Sequence, residues 1–258
     1  MTDTASSKTV FFYYQFTFPN GHIKKFDVRL DPETLNLLDP PRGRHSEWTR
    51  LSYHQCENCP LHESQSPQCP AAANLESVLD FFKDMLSYEE VDVEITTPAR
   101  TYKKHTALQM ALSSLIGVYM VTSGCPILDK LRPLVRTHLP FATLEETTSR
   151  AVSMYLMVQY FLKKRGKEPD WELKNLARIY EDVKTVNKFF HKRIAKIHIQ
   201  DAGLNALVHL DCYARFTNTL LLEDDLHEIE KLFSVYLDSE SGGTKPERTN
   251  GNRRHQKS

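Results

Sequence analysis

The chain has few of the residues that break regular structure, with 9 glycines and 13 prolines in 258 positions. Together with a 40% hydrophobic content, that scarcity excludes a collagenous, low-complexity or wholly disordered protein. An excess of one charge is also missing: Lys plus Arg number 33 and Asp plus Glu 33. The balance argues against a chain built mainly to bind nucleic acid, and no specific nucleic-acid partner is expected. There is no Walker loop, GxGxxG, GxSxG, HExxH or EF-hand loop. The usual marks of nucleotide chemistry and of common hydrolases are therefore absent, and an enzyme is the less favoured class.

Residues 1–8 are polar and carry no apolar run, so no secretory signal is expected. Five cysteines is an odd count, which suits a reducing cytoplasm better than a disulfide framework. Residues 106–128 are free of charge and long enough to span a bilayer. They also contain Thr106, Gln109, Ser113, Ser114, Thr122 and Ser123 and run into Gly124-Cys125-Pro126. The segment reads as a central buried helix over 106–123, and no membrane partner is expected.

Two hairpins are legible. In residues 9–18, Val10, Phe12, Tyr14, Phe16 and Phe18 share one face, and Pro19-Asn20-Gly21 marks a turn. Phe26, Val28 and Leu30 repeat the alternation after it; Phe11 and Tyr13 partly cover the opposite face. Val91, Val93 and Ile95 alternate again, and Pro98-Ala99 turns into residues 100–104. A short helix is expected over 74–86 on the period of Leu75, Val78, Leu79 and Phe82.

The C-terminal half reads as helical. Thr143-Leu-Glu-Glu146 has capping-box spacing, and the helix it opens stops at Gly166. Asp170 opens the next helix, whose apolar positions recur in steps of three and four with Asn187 as one polar member. Such a residue in an apolar seam commonly sets register. Residues 201–237 form a further helix or a broken pair, with the break near Glu223-Asp224-Asp225. The expected fold is α+β: a small antiparallel sheet of two hairpins packed on a mostly helical C-terminal half. A single domain spans 9–238, with sheet and cysteine loop in 9–104, a helical part in 105–238, and disordered tails at 1–8 and 239–258.

The strongest chemical signal is His54-Gln-Cys56-Glu-Asn-Cys59-Pro60-Leu-His62, followed by Cys69-Pro70. A two-residue spacer lets both thiolates of a CxxC loop point at one ion. Cys69 supplies a third ligand, and Cys125, at the end of the buried helix, is the candidate for the fourth. His54, His62 and His138 are substitutes for that place. Cys212, in an apolar helix, reads as a small core residue. Zinc is the first reading of the metal, and an iron–sulfur cluster the second, since a Cys-Pro step also closes the bacterial ferredoxin motif. The other readings are a redox dithiol and unmetallated surface thiols.

Several short motifs stand in a particular order: Trp48-Thr49, Cys56-x-x-Cys59-Pro60-Leu61, Cys69-Pro70, Ser123-Gly124-Cys125-Pro126, His138-Leu139-Pro140-Phe141, and Glu145-Glu146-Thr147 with Arg150. In this combination the chain resembles an uncharacterised bacterial domain-of-unknown-function family, over residues 9–235. The resemblance implies a bacterial, cytoplasmic protein and no activity.

His138, Glu146 and Arg150 could form a polar pocket for acid–base work or a ligand. The plainer reading, an ordered loop before a capped helix with Arg150 paired to Glu146, is preferred because no nucleophile is placed by spacing. Residues 163–196 hold eleven Lys and Arg against five acids, while 223–240 hold seven acids and one Lys. Two solvated, mutually compensating stretches explain this better than a phosphate-binding face. The functional expectation is thus a metal-stabilised cytoplasmic binding or regulatory protein, with room for a protein partner. An iron–sulfur or thiol redox protein is the alternative, and an enzyme around His138 the weaker one.

Overall fold

The structure is a computed structural model that describes residues 9–40, 43–197 and 199–241. Strands β1 (Val10–Thr17) and β2 (Ile23–Leu30) form the first hairpin, β3 (Glu90–Thr96) and β4 (Thr101–Ala107) the second. β1 and β3 pair antiparallel, giving one sheet in the order β2-β1-β3-β4. The strict alternation explains the register. Tyr14 lies opposite Phe26 on one side and Ile95 on the other, so the bulky members of three strands share one face.

That face is the floor of the core. Tyr14, Phe16, Val28, Leu30 and Ile95 are fully buried. Helix α1 (Pro70–Phe82) lies on it through Phe82, whose ring meets Phe16 at 5.2 Å and Phe26 at 5.7 Å. Burying each such side chain contributes about 1.5–3 kcal/mol. On the outer face Phe11 stacks on Tyr13 at 4.3 Å, and Tyr13 stays exposed, so the second face is only partly covered.

α1 begins four residues before the expected Asn74 because Pro70 occupies its first turn, where the missing N–H costs nothing. Helix α2 (Leu108–Val121) starts two residues later than expected, since Thr106 and Ala107 still pair with β3. It is apolar on nearly all sides and packs against α1 and α5 (Asp201–Leu222). No helix of the described residues is long and apolar enough to cross a membrane. A 3-10 segment, Leu128–Thr137, leads to α3 (Leu144–Lys164). Both capping-box bonds form: the Glu146 amide donates to Thr143 Oγ1 at 3.1 Å, and the Thr143 amide to Glu146 Oε2 at 2.7 Å.

α4 spans Lys174–Ile194. Asp170 lies outside it, accepting from the amides of Lys174 and Asn175 at 3.2 and 2.7 Å. α4 packs along α5. At Gly203 an added Cβ would meet Leu79 Cδ2 at 2.9 Å, so α5 approaches α1 too closely for a larger residue. The compact unit ends at Asp224, and a short second unit follows with α6 (His227–Lys231) and α7 (Ser234–Ser241). The break near residues 223–225 is therefore real, and α7 continues past the expected end at 238. Residues 1–8 and 242–258, expected as tails, lie outside the described residues.

Candidate functional site: a cysteine cluster and a buried arginine

The cysteine loop is built by three local devices. Backbone pairing of Arg50 with Gln68 closes its base: the Leu51 amide donates to the Pro67 carbonyl at 2.9 Å and the Cys69 amide to the Thr49 carbonyl at 2.8 Å. At its tip the Cys59 amide donates to the Cys56 carbonyl at 3.0 Å, the tight turn that CxxC spacing allows. Finally, Asn58 Nδ2 donates to the Asp182 carbonyl at 3.1 Å, docking the tip on α4.

Cys69 and Cys125 come from helix ends. Cys69 immediately precedes α1, and Cys125 follows Gly124, whose φ of +87° ends α2. Asn74 Nδ2 links these ends, donating to the Pro70 carbonyl at 2.8 Å and the Ser123 carbonyl at 3.5 Å. The four thiols are electrostatic neighbours. Burial pushes Cys56 up to about 12, and Cys69, Cys125 and Cys59 add to the shift. Burial likewise pushes Cys125 up to about 11, against the pull of the Leu128 and Ile127 amides, and raises Cys69. The amides of Ala71 and Ala72 favour a Cys69 thiolate, although no side-chain capping bond forms. Burial and mutual repulsion thus favour the thiol form of Cys56, Cys69 and Cys125 unless a cation replaces their protons.

A cation is already present. Arg193, on α4, is 1% exposed and the largest fully buried side chain. Its Nη1 donates to the carbonyls of Trp48 at 2.6 Å and Arg50 at 2.7 Å; Nη2 reaches those of Leu51 and His54 at 3.4 Å each. Among the described residues no carboxylate pairs with it. The groups that favour its charged form are Cys69 and Cys56, then Tyr53 and Cys59. Arg193 was absent from the expected site, having been counted with the solvated basic stretch. Its spacing could have found it: it lies seven residues after Val186 and three after Phe190, on the buried stripe of α4.

The remaining candidates stand elsewhere. His62 is exposed, and His54 contributes only its carbonyl to Arg193. Cys212 is exposed, not a core residue, because it falls on the outer face of α5. His138 Nε2 bonds the hydroxyls of Tyr14 at 3.0 Å and Ser114 at 3.2 Å. Burial, aided by the Arg150 charge, depresses it to about 3. Arg150 does not pair with Glu146, whose carboxylate serves the Thr143 cap. Its Nη2 donates to the carbonyls of Leu134 at 2.9 Å and Thr137 at 2.8 Å. Among the described residues, no three His, Cys, Asp or Glu side chains are arranged to hold a metal ion.

An antiparallel sheet on a helical layer, with a cysteine loop tethered to the helices, defines an α+β protein. A family profile described as a domain of unknown function (DUF6901) matches residues 12–234, so the chain belongs to that family. No curated protein and no solved structure matches it.

Proposed function

We propose that Cys56, Cys59, Cys69 and Cys125 hold one metal centre, zinc in the first reading, in a metal-stabilised cytoplasmic binding or regulatory protein. The observation that carries this reading is Arg193, a buried cation with thiols and no carboxylate for company. An uncompensated buried charge is costly, and thiolates held by a metal would balance it. The donor set is chemically apt, since soft thiols select zinc or iron–sulfur clusters. The bound metal would supply folding free energy by tying the loop to the start of α1 and the end of α2.

The iron–sulfur reading is kept by the amides of Ala71, Ala72, Ile127 and Leu128, which act on Cys69 and Cys125. Such amides stabilise cluster sulfurs and tune potential. Elemental analysis and a visible spectrum of anaerobically purified protein test both readings. About one zinc per chain and no colour supports the staple. Iron with acid-labile sulfide and broad visible absorbance makes the loop a redox centre. Absence of both metals refutes the proposal.

A further inference from the structure

A cavity of about 210 Å³ lies between α2, the 3-10 segment, the start of α3, and α4 and α5. Its walls are mainly aliphatic, but two polar side chains on them, Arg150 and His209, keep buried nitrogens without a partner among the described residues. Arg150 keeps a buried Nε with none, and its Nη1 makes no hydrogen bond. His209 has a buried Nδ1 without a partner. Tyr180 and Asn187, 4% and 5% exposed, line the same space. No Asp or Glu lines the cavity. Buried polar groups are normally satisfied, so each unsatisfied one calls for a partner, whether water, an ion or a ligand. Here a guanidinium and an imidazole with unpartnered buried nitrogens line one space, with Tyr180 and Asn187 on the same walls.

We propose that this cavity binds a small apolar monocarboxylate, its carboxylate on Arg150 and its hydrocarbon body among the aliphatic walls of α2 and the 3-10 segment. A planar guanidinium takes a carboxylate by paired, charge-assisted bonds. His209, with its unpartnered Nδ1, offers a second polar group at the same space. The volume sets the size. A dry cavity of roughly 150 Å³ admits benzene, so about 210 Å³ takes one ring with a carboxyl group. Arg150, His209 and Phe141 are half-buried, whereas Tyr180, Val183 and Asn187 are buried, so the cavity opens on the arginine side.

The inference rests on the reading of the chain as a binding protein, and not on the metal. Titration calorimetry of the full-length protein with benzoate and 3-phenylpropionate, each beside its neutral amide, tests it. The acids should bind with at least about tenfold higher affinity than the amides. Arg150→Gln should remove that preference while leaving the circular dichroism spectrum unchanged. No heat from either acid at millimolar concentration overturns the proposal, as do amides that bind equally well. Because the acid–amide comparison uses the unaltered protein, it survives a variant that fails to fold. Metal content measured on the same sample separates the two readings: acid binding without metal refutes only the metal centre, and metal without acid binding refutes only this site.

Discussion

Replacing Arg193 by Met removes the one cation inside the cysteine region while keeping its apolar stem. Two short charge-assisted bonds, at 2.6 and 2.7 Å, and two longer ones at 3.4 Å are lost, and of the four carbonyls only that of Arg50 keeps a partner among the described residues, the Tyr53 amide at 3.2 Å. Bonds to a charged group contribute about 1.5–3 kcal/mol each, so the short pair alone is worth ~3–6 kcal/mol. Relief from burying the charge offsets part of this. The expected net loss is about 3 kcal/mol in metal-free protein, read as a lower urea midpoint at unchanged slope. Arg193→Lys should recover less than half, because an ammonium cannot fork across two peptide planes. A loss below about 1 kcal/mol would refute the claim that this guanidinium holds the loop. If the thiols bind metal as proposed, Arg193→Met should also weaken metal retention against a chelator, since the buried negative charge loses its counterion.

Cys125→Ala should abolish stoichiometric metal and Cys212→Ala leave it intact; metal contents measured side by side decide, and retention in Cys125→Ala would reassign the fourth ligand. His138 is neutral when folded, with its pKa near 3 against an ordinary 6.5. Its contribution is complete above 6.5 and lost as the pH falls toward 3, because there the unfolded chain binds the extra proton. The slope is at most ~1.4 kcal/mol per pH unit, and His138→Gln should flatten it in urea titrations across that range. Thr143→Ala removes one bond of the capping box and should cost about 1 kcal/mol, seen as a fall in midpoint without loss of the fold.

Much of the backbone was legible from residue order. The Phe12-Tyr14-Phe16 alternation, the Thr143–Glu146 box and the Gly124 and Gly166 stops (φ of +87° and +72°) each reflect forces acting within a turn or a strand. Helix starts were less legible. Pro70 signals a first turn, and Asp170 caps from four residues away because Leu173, at φ +59°, bends the chain between them. The exposure of Cys212 was missed because an apolar helix with two packed neighbours gives no clear outer face in its spacing.

The sequence by itself determined the two hairpins and the order of helices, because periodicity and caps are short-range properties. Tertiary structure alone decided that Arg193 enters the cysteine loop while the other basic residues of its stretch serve elsewhere. It also decided that Arg150, Tyr180, Asn187 and His209, from three different helices, face one cavity. Those placements depend on which helix faces bury against one another. That choice is made by long-range packing and by the cost of leaving charges and amides unpaired, and no local pattern encodes it.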